Sequence, residues 1–484
     1  MLQFQNGVGE TGERLCGDGL FAKNTRWMTK VKRLCYLGTY WYVWFFFVAL
    51  RHTSFALTIG GAAMRAQTYI HETKTLRQIT IVLFVLTFVL RLGFGFFTHP
   101  DEHLYSHEVE RVAQNLANTG VFGNPYEGCI TGPTAHVAPG YPAVLSLIYR
   151  YADEPIRAIQ VVSSAVAGLT YALLPWVAGL LGLNVWLGVG AGFFGALLPY
   201  LPGMEANGAW ESVFVGALLV IALGLTGRYV KHRTAMSAVL AGFFWGIALL
   251  FGPALLPVLF VILFWLTAVL RLRKPHLVAL GSAALLTVTP WIARNYVRFG
   301  HLFWIRSNFG LELEISNSDA ALPFLDDNLT PLGSFSLHPG RSHGCQMIQS
   351  VGERQFMSDR LHEAEGWIGS HPRQFLELTA QRFWLFWSSP FPGWPRRLLA
   401  LLTGVLAVVG CGLALRRNRI AAMAFVAVIG AFPLVYYFIQ ADARYRAPVQ
   451  PVFLLAAAYA LSELLPRRVS VALGPKQTSQ PSES

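Results

Sequence analysis

Ten stretches of about 20 mostly apolar residues recur along the chain, and they constrain its fold more than any other feature. A helix of that length crosses the hydrocarbon core of a bilayer with its backbone hydrogen bonds satisfied internally. The chain is 54% hydrophobic and only 13% charged, unlike a soluble domain. The sequence therefore predicts an all-α, polytopic membrane protein. The predicted spans are residues 78–97, 157–182, 184–203, 209–227, 235–252, 254–270, 276–292, 397–415, 419–439 and 446–465.

The basic residues predict the orientation of these spans. Lys and Arg accumulate in short cytoplasmic loops, and the loops 228–233, 271–274 and 416–419 are basic. All seven lysines fall in segments that the ten-span map places on one side. We therefore expect a multi-pass protein of the cell inner (cytoplasmic) membrane with both ends in the cytoplasm. The net charge of +12 then reflects topology and contact with anionic lipid, and we expect no nucleic-acid partner.

Two connecting segments, both expected on the extracytoplasmic side, are too long to be mere connectors. The first long loop, 98–156, contains an amphipathic pattern at 101–118 that ends at Gly120, and a second short apolar piece at 139–149. Both patterns predict helices that lie along the membrane surface. The second long loop, 293–396, has helical composition at 353–370 and again after Pro372. We expect any active site to face the periplasm or exterior at these loops.

This map divides the chain into five regions. They are an N-terminal cytoplasmic or interfacial extension (1–77), a membrane catalytic module that includes the first long loop (78–292), the second long loop (293–396), a three-span module (397–466) and a cytoplasmic tail (467–484). Residues 34–50 are apolar enough for a further span, which would place Lys30 and Lys32 outside. An interfacial helix, or an extension upstream of a natural start near Met64, are the alternatives.

An acidic pair, Asp101 and Glu102, directly follows the first predicted span. Two carboxylates just outside a bilayer can orient or deprotonate an acceptor, or can hold a divalent cation such as Mg²⁺ or Mn²⁺. Alternatively, Asp101 is a helix N-cap behind a proline. His103 and His107 are four residues apart, a spacing that presents two imidazoles to one metal ion, although histidines are also common at interfaces.

Other charged residues cluster at the predicted outer ends of the spans. Arginine suits a lipid phosphate because its planar guanidinium forks onto phosphate oxygens, although each arginine could instead pair with lipid headgroups. The arginines in question are Arg294, Arg306, Arg444 and Arg446. Glu211 lies directly before an apolar run, where a carboxylate is costly and needs a partner. It could bind an acceptor or metal, cap a helix or form an ion pair.

Only two of the five cysteines, Cys129 and Cys345, are expected outside, one in each long loop. An oxidising compartment would permit a disulfide that ties the loops together. Two free thiols are the alternative. Gly188 and Gly192, in the third predicted span, indicate close helix packing.

Several short stretches resemble the GT-C superfamily of membrane glycosyltransferases, in particular its protein O-mannosyltransferase and aminoarabinose-transferase branch, which uses polyprenyl-phosphate sugars. The likeness covers residues 78–466. The matching residues are Asp101-Glu102, Thr134-Ala135, Pro139 to Pro142, Pro290-Trp291, Arg294-Asn295, Asn308, Gly310, His371-Pro372, Arg382 to Trp384, Arg444 to Arg446, Pro448 and Pro451. The resemblance implies an aspartate that handles the acceptor, a lipid-phosphate donor reached from within the membrane, and inversion at the sugar carbon.

One departure concerns the donor phosphate. Aminoarabinose transferases carry a Lys-Pro-Pro sequence where this chain has His136-Val-Ala-Pro139. The lysine that would meet the phosphate is therefore missing, and another cation must replace it.

The sequence thus predicts a glycosyltransferase that moves a sugar from a polyprenyl-phosphate carrier to an extracytoplasmic lipid, glycan or protein acceptor. Asp101 and Glu102 are the expected catalytic residues, and the expected phosphate ligands are Arg294, Arg444, Tyr445 and Arg446. Further donor or acceptor contacts are expected from His136, Tyr141, Glu211, Trp291, Asn295 and Arg306. A transporter or flippase is the main alternative. Transporters usually show repeated halves and ionisable groups near mid-membrane, whereas here no clear internal repeat appears and the charged candidates gather at the outer ends of spans. A third alternative is a binding or assembly protein without turnover.

Overall fold

The computed structural model describes residues 65–98, 108–198, 201, 205, 210–329, 334–388 and 394–465. Within these residues the protein is helical, with only three isolated β-bridges. The predicted all-helical class is confirmed for this part of the chain. The predictions for residues 1–64, for the tail and for Asp101, Glu102, His103 and His107 concern positions outside the described residues.

The helices follow the apolar periodicity of the sequence. They are α1 Arg65–Thr98, α2 Glu108–Thr119, α3 Gly140–Tyr151, α4 Pro155–Leu180, α5 Val185–Leu197, α6 Ser212–His232, α7 Ala235–Phe251, α8 Leu256–Phe264, α9 Lys274–Phe299, α10 Phe309–Ser316, α11 Leu325–Asn328, α12 Ser342–Ser370, α13 Pro372–Ser388, α14 Trp394–Arg417, α15 Arg419–Phe425, α16 Leu434–Phe438 and α17 Gln450–Leu464. Short 3₁₀ or π segments occupy Pro253–Leu255, Trp265–Val269, Ser334–Leu337, Val426–Ala431 and Ala443–Val449.

Seven helices among the described residues are long and apolar enough to cross a membrane, so the protein is a multi-pass membrane protein. They are Lys74–Phe97, Pro155–Leu180, Ser212–His232, Lys274–Phe299, Trp394–Arg417, Arg419–Phe438 and Ala443–Leu464. The other three predicted spans contain the shorter apolar helices Val185–Leu197, Ala235–Phe251 and Pro253–Val269. The 13 residues of α5 rise roughly 20 Å, less than the roughly 30 Å of a hydrocarbon core. The count of ten spans therefore stays a prediction.

Close helix packing builds the interior. Helix α4 packs against α1, α5 and α6, helix α7 packs against α6 and α9, and α17 packs against α14 and α5. A Cβ atom at Gly188 would lie 2.3 Å from the carbonyl oxygen of Leu174, so only glycine lets α5 approach α4 this closely. The close packing predicted at Gly188 is confirmed.

A buried ion pair ties α1 to this interior. The Nε of Arg91 lies 2.7 Å from Oε2 of Glu205, and both side chains are almost fully buried. The remaining guanidinium nitrogens donate to the carbonyls of Ala196 and Gly195, and the Tyr171 hydroxyl donates to Glu205. Arg91 is therefore a pairing residue, in agreement with the cost of a lone charge at membrane depth.

The two long loops pack against each other through a small apolar core of their own. In the first loop, Gly120 ends α2 with a positive φ of 74°, a conformation that favours glycine. Tyr126 and Cys129 of that loop pack against Leu311, Ile348 and other apolar residues of the second loop. Cys129 and Cys345 form a disulfide with an Sγ–Sγ distance of 2.07 Å. The loops therefore fold together and not as independent connectors.

Candidate functional site

Four segments that are distant in sequence meet at one polar cluster. We call it the arginine–tyrosine cluster, and its members are Trp210, Glu211, Arg306, Tyr436, Arg444 and Tyr445. Trp210 and Glu211 precede α6, Arg306 follows α9, Tyr436 lies in α16, and the last two residues lie in the 3₁₀ segment before α17. Packing of α6 against this 3₁₀ segment brings the first and last of these segments together.

Arg444 is the centre of the cluster. Asp442 caps the 3₁₀ segment by accepting the backbone N–H of Arg444 at 2.9 Å, and its other carboxylate oxygen lies 3.1 Å from Arg444 Nε. The guanidinium carbon lies 3.5 Å from the centre of the Trp210 ring, and Nη2 lies 3.5 Å from the Tyr445 hydroxyl. Nη1 is buried and has no hydrogen-bond partner among the described residues. A buried N–H of a cation is therefore left to meet an acceptor.

Glu211 supplies negative charge beside these cations. Its Oε1 lies 4.0 Å from Nη1 of Arg306, a separation too long for a hydrogen bond. Its Oε2 is buried without a hydrogen-bond partner in the part of the chain that the structure describes. The side chain does not cap α6, although its position before Ser212 would permit it. An ionised carboxylate only accepts hydrogen bonds, so this oxygen lacks a donor.

Tyr445 and Tyr436 form one wall of the cluster. Their rings stack with centroids 4.2 Å apart. Tyr436 is close enough to Glu211, Arg306 and Arg444 for all three to interact with it electrostatically. The hydroxyl groups of both tyrosines therefore belong to the same polar environment as the charged residues.

The first long loop holds Arg306 in place. Nε of Arg306 donates to the carbonyl of His136 at 3.0 Å, and the N–H of Ser307 donates to the carbonyl of Ala135 at 2.9 Å. The Arg306 side chain is 29% exposed, so it can also meet a ligand from outside. The structure thus brings Glu211, Arg306, Arg444 and Tyr445 together, as a shared site requires.

Glu353, which the sequence did not single out, joins the two long loops next to Ser307, the residue that follows Arg306. Its Oε1 accepts from the N–H of Ala135 at 2.8 Å and the hydroxyl of Ser307 at 2.6 Å, and Oε2 accepts from the Thr134 hydroxyl at 2.6 Å. Burial raises the pKa of Glu353, while these hydrogen bonds lower it. Gly352 precedes it with φ 80° and ψ 159°, a kink that only glycine adopts readily.

Three residues of α9 make contacts beyond the helix or support them: Arg294 binds the first loop, Asn295 accepts from Arg294, and Trp291 binds the segment that follows the helix. Arg294 donates to the carbonyls of Thr134 at 2.7 Å and Phe122 at 3.0 Å, and to the side-chain oxygen of Asn295 at 2.9 Å. Trp291 donates to the carbonyl of Ile305 at 2.8 Å. These contacts are structural, so the predicted phosphate role of Arg294 stays a prediction that its geometry does not favour.

Arg446 is buried away from the guanidinium of Arg444, although the two residues are close in sequence. Four hydrogen bonds engage all three of its nitrogens, and the acceptors are Gln450, Trp387, Ala400 and Thr403. The residue fastens α13, α14 and α17 to one another. Its predicted phosphate role also stays a prediction, and its burial argues against that role.

Tyr141 lies in α3 and is 1% exposed. Its ring packs against Phe214 of α6, and burial raises the pKa of its hydroxyl. The predicted ligand contact of Tyr141 is untested, and its surroundings are those of a core residue.

A second polar group could hold a metal ion by spacing alone. The ligand atoms of Glu108, His136 and His338 all lie within 4.8 Å of one another. Burial lowers the pKa of His338 to about 4, and burial together with the charge of Arg306 lowers that of His136 well below its usual range. Both imidazoles are therefore neutral near pH 7, as metal ligation requires.

The hydrogen bonds of His338 do not fit metal ligation. The N–H of Gly340 donates to Nδ1 of His338 at 3.0 Å, so the proton of the neutral ring lies on Nε2. This Nε2 lies 3.4 Å from Oε1 of Glu108. A metal on Nε2 would require the proton to move to Nδ1, against the Gly340 N–H. The Tyr126 hydroxyl is also hydrogen-bonded to Nδ1 of His136 at 2.9 Å. The group is therefore better described as a polar network between the two long loops.

No protein-family model and no curated protein matches the chain. It is similar to the solved oligosaccharyltransferase of Archaeoglobus fulgidus in complex with Zn and sulfate, at 13% identity and a TM-score of 0.48, covering 80% of this chain and 49% of the other. It is also similar to the oligosaccharyltransferase AglB of the same organism in complex with an inhibitory peptide and a dolichol-phosphate, at 13% identity and a TM-score of 0.47. That match covers 81% of this chain and 50% of the other. This chain spans about half the length of those proteins. A likeness of this extent does not decide the family of the chain.

Proposed function

We propose that this protein is a membrane glycosyltransferase that transfers a sugar from a polyprenyl-phosphate carrier to an extracytoplasmic acceptor. The observation that carries the proposal is the buried Nη1 of Arg444, which has no hydrogen-bond partner among the described residues. It lies in the cluster that also contains Arg306, at the end of a membrane-spanning helix. A phosphate carried by a membrane lipid supplies the anionic acceptor that this nitrogen lacks.

The chemistry follows from where the charge develops. The acceptor hydroxyl or amine loses a proton to a carboxylate and attacks the sugar carbon, while the bond from that carbon to the phosphate oxygen breaks. The polyprenyl phosphate leaves with the electron pair, so its negative charge increases. Fixed cationic donors stabilise such charge in a site that excludes water. Arg444 and Arg306 have this role in our proposal, and the Tyr445 hydroxyl orients the phosphate.

Acceptor activation is assigned to Asp101, with Glu102 supporting it, on the sequence resemblance alone. Attack from the face opposite the phosphate would invert the sugar carbon. The divalent cation stays a prediction without a role in this scheme. We place the enzyme in the cytoplasmic membrane with this site facing the exterior, as the distribution of basic residues favours.

The first test is binding of undecaprenyl phosphate by the purified protein in nanodiscs. Arg444→Gln should weaken binding at least about tenfold, because it removes a buried charge-assisted hydrogen bond. Arg373→Gln is a matched control, since the Arg373 side chain is 93% exposed and pairs with the exposed Glu377. Equal affinity of the Arg444→Gln variant and the unaltered protein would remove Arg444 from the donor site.

A second measurement separates the enzyme from a transporter. Sealed vesicles that contain the protein receive labelled mannosyl-phosphoryl-undecaprenol and a membrane extract as the source of acceptor. The proposal expects the label to leave the lipid and appear in another product. Movement of intact labelled lipid between leaflets without transfer would support the flippase instead.

A further inference from the structure

We propose that Glu211 accepts a hydrogen bond from a hydroxyl group of the lipid-linked sugar while Arg444 binds the adjoining phosphate, so that the cluster selects the sugar-bearing lipid over the bare polyprenyl phosphate. This inference rests on the proposed function and adds to it a role in substrate selection and product release. It assigns to Glu211 the recognition of a neutral hydroxyl and not of a cation.

The first step is the state of the two unpartnered atoms. Oε2 of Glu211 and Nη1 of Arg444 are both buried without a hydrogen-bond partner among the described residues, and the two side chains interact electrostatically. One atom can only accept a hydrogen bond and the other can only donate one. A ligand that satisfies both must carry a donor and an acceptor close together. A sugar hydroxyl next to a phosphoester has this pattern.

The second step excludes a simple internal ion pair. The best cationic neighbour of Glu211 is Arg306, at 4.0 Å, and this arginine already donates to the His136 carbonyl at 3.0 Å. Arg444 has its own carboxylate partner, Asp442, at 3.1 Å. The closest ion pair of the cluster, Arg444 with Asp442, is therefore formed without Glu211. Glu211 is an additional negative charge beside it.

The third step concerns the charge of the ligand. A phosphodiester such as a sugar-bearing polyprenyl phosphate carries one negative charge, whereas a phosphate monoester carries about −1.5 to −2 at pH 7. A fixed carboxylate in a buried site repels the more highly charged species more strongly. Glu211 should therefore favour the donor before transfer and should speed release of the polyprenyl phosphate after it.

The test compares four ligands with the protein and its variants in nanodiscs. The ligands are undecaprenyl phosphate and the three lipids in which its phosphate is esterified to mannose, glucose or arabinose. The readout is the Kd of each ligand. The unaltered protein should bind at least one ester about tenfold more tightly than the bare phosphate. Glu211→Gln should bind the bare phosphate at least as tightly as before and should reduce the preference for that ester about tenfold. Arg444→Gln should weaken all four.

Two further variants keep the result interpretable. Glu377→Gln, on an exposed helix surface, should leave every Kd unchanged. Glu211→Asp keeps the charge but withdraws the carboxylate by one methylene. It should therefore retain the bias against the bare phosphate, while the sugar-bearing ester should bind more weakly. The melting temperature of ligand-free Glu211→Gln should fall only slightly, because the change loses a 4.0 Å attraction to Arg306 and an electrostatic interaction with Arg444 but no hydrogen bond to Oε2 among the described residues.

The outcomes distinguish the two proposals. An unchanged preference in Glu211→Gln, or a large fall in its melting temperature, would overturn the role of Glu211 while the phosphate site at Arg444 stands. Failure of the unaltered protein to bind any of the four lipids would overturn the proposed function, and the role of Glu211 with it.

Discussion

Buried charged side chains in this protein differ in how completely their polar atoms are bound. Arg446 donates through all three of its nitrogens, and so does Arg91. Glu211 and Arg444 instead each keep one buried atom without a partner in the described chain. An unpaired buried polar atom costs about 1–3 kcal/mol. The fully bound arginines therefore stabilise the fold, whereas we propose that Glu211 and Arg444 meet a ligand.

Glu314, in α10, gives a pH-dependent prediction. Burial raises its pKa to about 7, and neighbouring Arg360 only partly offsets this effect. The folded state therefore favours the protonated carboxyl. Its contribution to stability is fully present below the unfolded pKa of about 4.5, and it is lost as the pH rises through about 7. Glu314→Gln should stabilise the protein by up to about 3 kcal/mol at pH 8 and should have little effect near pH 4.5.

The measurement is thermal unfolding of both proteins in detergent across this pH range. Glu377→Gln is the control, since the Glu377 side chain is 57% exposed and its replacement should not reproduce the pH trend. A Glu314→Gln variant that lowers the melting temperature at pH 8 would mean that the ionised carboxylate is stabilising after all.

At the same scale, residue type and predicted membrane side anticipated part of the arginine–tyrosine cluster. Glu211, Arg306, Arg444 and Tyr445 were all expected near the substrate, and the structure brings these four together. Sequence could not separate them from Arg446, because the acceptors that enclose that residue come from α13, α14 and α17. Trp210 and Tyr436 were missed for the same reason, since only tertiary packing places them beside Arg444.

At the scale of elements, a buried ion pair helps to hold α1 against the other helices. Arg91 and Glu205 are buried, and the pair satisfies each charge at 2.7 Å. Glu205→Gln should destabilise the protein by about 3–5 kcal/mol, because it leaves a buried guanidinium without its counter-charge. The double change Arg91→Met with Glu205→Leu should be much milder, since it removes both charges together.

Thermal unfolding in detergent of Arg91→Met, Glu205→Leu and their double variant tests this coupling, because a double-mutant cycle requires the same substitutions singly and together. A matched control is the exposed pair Arg373 and Glu377, whose interaction free energy from the same cycle should be less than about 1 kcal/mol. Additive effects of the Arg91 and Glu205 changes would show that the two charges do not stabilise each other.

The elements themselves were mostly accessible from apolar length. All ten predicted spans contain apolar helix, and α9 and α14 end within a few residues of basic or glycine signals in the sequence. The short α5 was not predicted, because the apolar run 184–203 continues beyond the last helical residue, Leu197. Composition measures how apolar a segment is, whereas backbone geometry decides where its helix ends.

At the scale of the whole molecule, the two long loops form one unit. A shared apolar core, the carboxylate of Glu353 and the Cys129–Cys345 disulfide all cross between them. The sequence suggested the disulfide from the expected compartment of the two cysteines. The contacts of Glu353 gave no sequence signal, because an acidic residue in a helical segment is ordinarily exposed.

Loss of the disulfide should lower stability more than ligand affinity. The bond closes a separation of 216 residues, and constraints on such long loops typically contribute about 2–4 kcal/mol. Arg306 is still held by the His136 carbonyl and Ser307 by Glu353, so the arginine–tyrosine cluster should survive. The same reduced melting temperature is expected for Cys129→Ser, Cys345→Ser and the double variant, because each removes the same bond. All three should bind undecaprenyl phosphate with an affinity similar to that of the unaltered protein.

Cys411→Ser is the control, since Cys411 is a free cysteine within the helices. Unequal effects of the two single variants, or an equal loss in Cys411→Ser, would mean that local packing and not the cross-link is responsible.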